Sequence, residues 1–536
     1  MKKILAFSLM VLCHTLFANN QPPKLVVQIV VDQLRGDLIH KYLPHLTDKG
    51  FHYLISHGID YDNAHHPHAN TVTCAGHATI STGSYPSLHG IVANDWYDKA
   101  LQKSVYCVED PNSAILPTPR YKISKDGRSP KNLIASTLSD ELVLAQKGRS
   151  YAVSLKDRSA ITLAGHAGKA FWFDNKNGGF ITSKYYYSSY PQWVNEWNRQ
   201  YRPEEKTWVL SSNLNTYDYA KAPRFERSLS SFGQSFPHHI KNIDADEYYN
   251  HLAMSPFADE LTADFAITLL RKEHLGQGQQ TDYLAISFSS VDVIGHQFGP
   301  NSIESEDNIR RLDKTLANFF EALNREVGLQ NTLIILTADH GMSDSSPYLQ
   351  KHGIDTHNPL TLDSLRQKIE ESLALKFHLP KNTLQSITWP YLYLDETIIN
   401  EHHLSLKKVS RYLVDVLKKE PGIYEAYSMP LTTIPNDWLS RKVNKMSFPK
   451  RVGDIYLVLP AYTSIEQEPP VYHGSPWRYD AYVPLIFSHP AIKVQRLSTP
   501  VRTTDIAPTI ANILAIRAPS ASTGRPLTEV VQGFRG

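Results

Sequence analysis

The chain has 536 residues, of which 41% are hydrophobic and 20% are charged. This composition is typical of a folded globular protein and excludes disordered, collagen-like and coiled-coil proteins. The 55 Lys and Arg residues nearly balance the 53 Asp and Glu residues, which leaves a formal charge of +2. Such a balance provides no electrostatic basis for nucleic acid or an anionic membrane as the main partner.

The first predicted element is a signal peptide over residues 1–18. Lys2 and Lys3 form a positive end, residues 4–17 form a short apolar run, and the small residue Ala18 closes it. The run is too short for a comfortable membrane span, and no other stretch approaches the necessary length. We therefore expect cleavage near Ala18 and a secreted or periplasmic mature chain without a membrane span.

Cysteine usage agrees with export, because disulfides persist in oxidising compartments. Cys13 lies within the signal peptide, and Leu12 precedes it where a lipoprotein signal would carry a small residue. Only Cys74 and Cys107 remain after cleavage. The sequence leaves open whether these two residues form a disulfide or remain two buried thiols.

Four apolar segments predict strands of one sheet, at residues 24–31, 282–288, 332–336 and 482–487. Continuous apolar, β-branched runs are typical of strands buried on both faces of a parallel sheet. A helix with one apolar face is predicted over residues 309–323, just before the third strand. This alternation predicts an α/β fold with a doubly wound, mostly parallel central sheet and helices on both faces.

Two long stretches fit this pattern poorly and are interpreted as insertions within one catalytic domain over residues 19–536. The stretch at about 165–250 is rich in Tyr, Trp, Phe and Asn, and the stretch at about 344–475 contains strand-like and polar helical segments. We expect both to cap or wall a functional site, with peripheral decoration as the alternative.

Acidic residues and histidines follow three of the predicted strands. Asp32 ends the first, Asp292 and His296 follow the second, and Asp339 and His340 follow the third. In doubly wound sheets, ligands bind beyond the carboxyl ends of the strands. Asp292 and His296 are four residues apart, so on a helix they share one face and can converge on one cation. Taken alone, Asp32 also fits a helix cap, and Asp292 with His296 fits a capped helix start.

With His473 as a further candidate, the chain offers three Asp and three His ligands from separate segments. That number suggests two metal sites rather than one. Mixed oxygen and imidazole ligands suit Zn²⁺. Two neighbouring cations can stabilise both the attacking and the leaving oxygen of a displacement at phosphorus.

A candidate nucleophile lies where the segment 70–83 changes from extended to helix-compatible, at Thr73. A hydroxyl at a helix N-terminus lies where backbone N–H groups favour negative charge. A metal that contacts this oxygen would make an alkoxide accessible. Taken alone, Thr73 also fits an ordinary helix cap.

Several motifs occur in one order along the chain and together resemble the alkaline phosphatase superfamily. Thr73 lies in Thr-Val-Thr-x-x-Gly-His, which is followed by Thr-Gly-Ser-x-Pro-x-x-His-Gly-Ile and Asn94. The other matching segments are residues 31–33, 154–158, 292–300, 337–341 and 504–508. More narrowly, the chain is similar to the phosphate-irrepressible bacterial alkaline phosphatases, which are related to the nucleotide pyrophosphatase/phosphodiesterases.

The resemblance implies roles for individual residues. Thr73 corresponds to a nucleophile that forms a covalent phospho-threonine intermediate. Two Zn²⁺ ions are implied, one held by Asp292, His296 and His473, the other by Asp32, Asp339, His340 and the Thr73 oxygen. The phosphoryl oxygens are held by Asn94, Lys156 and Arg158. Cys74 departs from the family, where a small or apolar residue is common, and a buried inert thiol is expected there.

The residue chemistry agrees with these roles, because Arg158 can offer a bidentate fork and Lys156 a point charge to a phosphate dianion. The sequence thus predicts a secreted, metal-dependent phosphomonoesterase that acts as a monomer on small phosphate monoesters.

The main alternative is a phosphodiesterase or nucleotide pyrophosphatase on the same scaffold, against which Lys156 and Arg158 argue. A sulfatase lacks support, since the residues after Cys74 do not match its motif. A non-catalytic binding protein would lack ligands or the nucleophile.

Overall fold

The computed structural model describes residues 22–118, 126–222, 232–233, 235–241, 244–356, 360–431, 434–465 and 473–535. The predicted signal peptide over residues 1–18, with Cys13, lies outside these ranges. Within them, no helix combines the length and the apolar character that a membrane crossing requires.

A ten-stranded sheet forms the centre of the molecule. Its strands are β1 (Leu25–Val31), β2 (Gly58–His65), β3 (Ser150–Ser154), β4 (Lys169–Phe173), β5 (Phe180–Ile181), β6 (Asp282–Phe288), β7 (Thr332–Thr337), β8 (Tyr482–Ser488), β9 (Gln495–Leu497) and β10 (Val501–Arg502). The spatial order is β9-β2-β8-β7-β1-β6-β3-β4-β5, and β10 also pairs with β2. Neighbours are parallel except at β8 and β5, which are antiparallel to the strands beside them. The predicted doubly wound, mostly parallel α/β sheet is confirmed.

The register of the three central strands brings their carboxyl ends to one edge. β1 lies between β6 and β7, with Val31 opposite Phe288 and Val30 opposite Thr337. All residues of these three strands are buried, as continuous apolar runs predict. The residues that follow the strands therefore leave the sheet side by side.

Helices cover both faces of the sheet. Alternate residues of β1 belong to different hydrophobic cores, with Val26 and Val30 on one face and Val27 and Ile29 on the other. The predicted helix is confirmed as Ile303–Glu326. The α-helices span Leu38–Tyr42, Phe51–Ser56, Thr73–Thr82, Pro86–His89, Leu138–Leu144, Asp157–Ala164, Gln192–Gln200, Ala245–Ala253, Phe257–Lys272, Ser290–Phe298, Ile303–Glu326, Ser346–Lys351, Leu362–Phe377, Glu396–Glu401, Leu406–Leu417, Trp438–Asn444, Arg478–Ala481, Ile506–Ile513 and Thr528–Gln532.

The stretch at about 344–475 contains a small sheet with a core of its own. Its four antiparallel strands are, in spatial order, Leu384–Thr388, Tyr391–Leu394, Ile455–Val458 and Glu425–Ser428. The helices Leu362–Phe377 and Leu406–Leu417 bury their apolar faces against this sheet. We call residues 344–475 the sheet insertion.

The stretch at about 165–250 begins within the central sheet, since it includes β4 and β5. The apolar residues of β4 pair with β3, and the aromatic side chains of Trp193, Trp208 and Tyr248 are buried in the core on one face of the sheet. Its aromatic richness therefore reflects packing. The remaining strands form three two-stranded sheets, Asp95–Asp98 with Lys103–Tyr106, Glu109–Ala114 with Gly127–Arg128, and Lys206–Trp208 with His238–Ile240.

Cys74 and Cys107 form a disulfide, with their Cα atoms 6.7 Å apart. The expectation of an inert thiol at Cys74 is therefore wrong. Asn94 explains why the two residues meet. Its side-chain Oδ1 accepts the Cys74 N–H at 2.9 Å, and its backbone carbonyl accepts the Cys107 N–H at 2.8 Å.

Candidate active site

The Asp and His residues predicted as metal ligands lie at the edge where β1, β6 and β7 end. Asp32 directly follows β1, and Asp339 and His340 follow β7 after one further residue. Asp292 lies in the first turn of the helix after β6. His473 precedes β8, and because β8 is antiparallel to β7, its amino end lies at the same edge.

Asp292, His296 and His473 form one group whose ligand atoms could hold a metal ion. His296 Nε2 lies 3.1 Å from Asp292 Oδ1, and His473 Nε2 lies 3.7 Å from the same oxygen. The other ring nitrogen of His473, Nδ1, hydrogen-bonds to the Thr71 carbonyl at 3.0 Å. This hydrogen bond leaves Nε2 directed at Asp292, as in metal-binding histidines whose second nitrogen is held by the backbone.

His340 lies between the two carboxylates predicted to accompany it. Its Nε2 is 3.4 Å from Asp32 Oδ1 and 3.4 Å from Asp339 Oδ2. Asp32 and His340 also form a candidate metal-binding group with Asp292. The two predicted ligand sets are thus adjacent, and Asp292 faces both of them.

Lys156 and Gln33 join these acids. Lys156 Nζ donates to Asp292 Oδ2 at 2.5 Å and also to Asp32 Oδ2. The Gln33 side chain donates to Asp292 Oδ1 at 2.8 Å, and its backbone N–H donates to Asp339 Oδ1 at 3.1 Å. Gln33 belongs to a matching motif, yet no role was predicted for it. Its backbone has a φ of 69°, a conformation that no sequence pattern indicated.

The chemistry of these side chains fits a bound divalent cation. Three of their polar atoms, Asp32 Oδ1, Asp339 Oδ2 and His340 Nε2, are buried without a hydrogen-bond partner. Buried polar groups without partners are costly, and buried carboxylates especially so. Burial raises the pKa of Asp339, and so does the neighbouring Asp32. Burial alone would lower the pKa of His340, but Asp339 and Asp32 raise it to about 9. The carboxylates around His340 thus favour positive charge at this position.

Thr73 begins a ten-residue helix and is 1% exposed. His77, one turn later, hydrogen-bonds to the Thr73 carbonyl at 2.9 Å and to Ser287 Oγ at 2.9 Å. Its Nδ1 also lies 3.2 Å from Asp339 Oδ2. His77 therefore ties the start of this helix to a residue of the candidate metal centre.

Arg158 lies in the first turn of the helix Asp157–Ala164 and is held by a tyrosine. Arg158 Nη1 donates to the Tyr106 hydroxyl at 3.5 Å, and that hydroxyl donates to Asp157 Oδ1 at 2.6 Å. Asp157 Oδ2 accepts from Arg128 Nε at 2.7 Å. Burial would lower the pKa of Arg158, but Tyr106 and Asp32 raise it, so the guanidinium stays charged.

Asp480 is a residue of the site that the sequence did not indicate. Its Oδ2 accepts from the Ser475 backbone N–H at 2.9 Å and from Ser475 Oγ at 2.5 Å. Its backbone carbonyl accepts the Gly341 N–H at 2.7 Å. Asp480 thus holds both the loop of His473 and the turn of His340.

Comparison with known proteins agrees with this geometry. The family model for type I phosphodiesterase / nucleotide pyrophosphatase matches residues 26–473. The chain belongs to this family. It is 36% identical over 522 residues to alkaline phosphatase PafA of Elizabethkingia meningoseptica, covering 95% of this chain and 94% of that protein. It is 35% identical over 524 residues to alkaline phosphatase PhoV of Synechococcus elongatus, covering 95% and 93%.

Solved structures give the same relationship. The crystal structure of wild-type alkaline phosphatase PafA superimposes with a TM-score of 0.87 at 35% identity, covering 95% of this chain and 99% of that one. Murine ectonucleotide pyrophosphatase / phosphodiesterase 5 shares the fold, with a TM-score of 0.53 at 16% identity. The resemblance to the alkaline phosphatase superfamily is confirmed.

Proposed function

We propose that the protein is a metal-dependent phosphomonoesterase that hydrolyses phosphate monoesters to an alcohol and inorganic phosphate. The observation that carries this proposal is the meeting of three Asp and three His residues beside Lys156 and the helix that begins at Thr73. The relationship to alkaline phosphatases over nearly the whole chain supports it.

Two Zn²⁺ ions fit the oxygen and imidazole donors of the site. Asp292, His296 and His473 would hold one, and Asp32, Asp339 and His340 would hold the other beside Thr73. When bound, such ions supply charge stabilisation at the reacting oxygens and a lowered pKa for a coordinated hydroxyl.

Thr73 Oγ is the nucleophile in this proposal. The hydroxyl loses its proton to solvent, and its oxygen forms a bond to phosphorus as the bond from phosphorus to the ester oxygen breaks. The alcohol leaves after taking up a proton from solvent. Water then attacks the phospho-threonine, which releases inorganic phosphate and restores the hydroxyl. The N-terminus of the Thr73–Thr82 helix favours negative charge at this position.

Lys156, Arg158 and Asn94 bind the phosphoryl oxygens. A monoester dianion carries one more negative charge than a diester, so two buried cationic side chains favour the monoester. Asn94 adds an amide without adding charge, and its orientation is fixed by the Cys74 N–H that its Oδ1 accepts. This charge argument favours the phosphomonoesterase over the phosphodiesterase alternative.

A periplasmic or secreted location is part of the proposal. It is supported by the signal-peptide pattern of residues 1–18. The Cys74–Cys107 disulfide agrees with an oxidising compartment.

The proposal is tested with paired aryl mono- and diesters on zinc-loaded wild type, Thr73→Ala and Thr73→Ser. We expect a monoester preference in kcat/KM for the wild type. Thr73→Ala should lose turnover by at least about a hundredfold, as expected when a group acting on the reacting atoms is removed. Thr73→Ser, the matched control, keeps a hydroxyl and should retain part of the activity. Diester preference, or undiminished turnover by Thr73→Ala, would contradict the proposal.

A further inference from the structure

A cleft lies between the loop of His473 and the strands of the small sheet. His473 and Ser475 form one end of it. Trp389 and Leu459, which adjoin strands of the small sheet, line its other side. The cleft therefore lies between the candidate metal centre and the small sheet.

The walls of the cleft combine polar groups with an aromatic and apolar face. Tyr462 and Tyr479 stack with ring centroids 5.0 Å apart and planes inclined by 24°. The Tyr462 backbone N–H donates to the Tyr479 hydroxyl at 3.0 Å, which fixes the pair. Trp389 and Leu459 add further apolar surface. Flat aromatic walls of this kind bind planar apolar groups through stacking and burial.

The charged groups of the cleft are of one sign. Among the described residues that line it, Asp344 and Asp480 are acidic and none is Lys or Arg. Asp344 is paired with Arg35 at 3.2 Å, and Asp480 Oδ2 accepts two hydrogen bonds from Ser475. A second anionic group on a ligand would therefore meet these carboxylates, and no described lining residue would compensate its desolvation with a positive charge.

We propose that this cleft binds the leaving group of the substrate and selects phosphate monoesters of neutral, aromatic or apolar alcohols. The inference rests on the proposed function and names its substrate class. His473 lines the cleft and also faces Asp292, so a phosphate at the metal centre has the cleft beside it. The basic residues that serve a phosphate, Lys156 and Arg158, lie outside the cleft lining. The metal centre would thus take the anionic phosphate end of the substrate, and the cleft would take its apolar end.

The test compares phenyl, 2-naphthyl and 4-carboxyphenyl phosphate. The first two differ in the size of the leaving group, and the third adds a negative charge. For the wild type we expect kcat/KM to be about fivefold higher for 2-naphthyl than for phenyl phosphate, from additional aromatic contact. We expect 4-carboxyphenyl phosphate to be the poorest of the three.

Two variants and a control test whether the cleft causes these differences in kcat/KM. Tyr462→Ala should bring the 2-naphthyl to phenyl ratio close to one, because it removes half of the stacked pair. Thr463→Lys places a cation in the cleft lining and should raise kcat/KM for 4-carboxyphenyl phosphate alone. Trp438→Ala is the control, since Trp438 is half exposed in the same insertion and does not line the cleft. Its ratios should equal those of the wild type.

Titration calorimetry with 2-naphthol measures binding to the cleft independently of phosphate hydrolysis. We expect saturable binding to the wild type, weakened about fivefold in Tyr462→Ala through the lost aromatic contact. If no monoester is hydrolysed but 2-naphthol binds in this way, the proposed function fails and the aryl site stands. Absent binding, binding unchanged in Tyr462→Ala, or substrate ratios that are the same in all variants would overturn the inference.

Discussion

The imidazole ring of His473 stacks on that of His340, with centroids 3.6 Å apart and planes inclined by 13°. This contact joins the two predicted ligand sets, because one ring faces Asp292 and the other lies between Asp32 and Asp339. Burial and the neighbouring His340 lower the pKa of His473. Its imidazole is therefore neutral, which is the form that binds a metal.

Asp480→Ala should weaken zinc binding about 10- to 100-fold, the usual effect of removing a residue that holds a metal ligand in place. The variant loses the hydrogen bonds from Ser475 that fix the His473 loop. Zinc affinity is measured by competition with a chelator, and Asp480→Asn should restore part of it. The matched control is Asp437→Ala, which loses the same two types of hydrogen bond, from Ser440, at the start of the helix Trp438–Asn444. Equal zinc affinity in Asp480→Ala and Asp437→Ala would refute this role.

Lys156→Ala and Arg158→Ala should each lower kcat/KM for an aryl monoester about 10²- to 10³-fold, as when a preorganised donor to a charged oxygen is lost. The matching diester should lose less than about tenfold, because it carries less charge for these groups to stabilise. Zinc content is measured alongside, since Lys156 contacts Asp32 and Asp292. The exposed Lys184 provides the control substitution. Equal losses on both substrates would show that Lys156 and Arg158 do not distinguish the two substrates by their charge.

The fold could be predicted from the sequence where patterns are local. The segments of β1, β6 and β7 have longer continuous apolar runs than a half-buried strand, which alternates apolar and polar residues. Their place at the centre of the sheet could therefore be predicted, and so could the position of the acidic residues that follow them. The short strands β4 and β5 could not be separated from the aromatic stretch around them, because their burial depends on the pairing of β4 with β3.

Sequence patterns could not predict the contacts between segments that are distant from one another along the chain. Asp480 is important through Ser475 and Gly341, and Gln33 through a left-handed backbone that directs its amide to Asp292. The Cys74–Cys107 disulfide likewise depends on how Asn94 holds the start of the helix Thr73–Thr82 beside Cys107. Family motifs could supply the ligands of the site, but not the residues that hold them.

His166→Gln should destabilise the protein more at about pH 6 than at about pH 9. His166 Nδ1 lies 2.9 Å from Asp140 Oδ2, and this hydrogen bond raises the pKa of His166 above its usual 6.5. The stabilisation is therefore full below pH 6.5 and is lost as the pH rises through the raised pKa. Burial would raise the pKa of Asp140, but His166 and backbone donors lower it, so Asp140 remains ionised throughout this range.

The measurement is the difference in Tm between wild type and His166→Gln at the two pH values. Glutamine keeps a hydrogen-bonding side chain without the charge, so the comparison isolates the ion pair. A difference in Tm that grows towards alkaline pH would contradict the assignment.

Replacing both Cys74 and Cys107 with Ala should lower the free energy of unfolding by up to about 3–4 kcal/mol, the loop-closure contribution for a bridge of this span. The bridge closes a sequence separation of 33. We expect reductant to lower the Tm of the wild type and to leave that of the double variant unchanged. Titration of two free thiols in the native, unreduced protein would show that the bridge is absent.

The most direct test of the central claim is the zinc content of purified protein after dialysis against zinc-free buffer, measured by plasma mass spectrometry. We expect two zinc ions per chain in the wild type and about one in His296→Ala, because that variant loses a donor from one ligand set only. A wild-type content near zero that added zinc does not restore, or equal contents in wild type and His296→Ala, would contradict the claim.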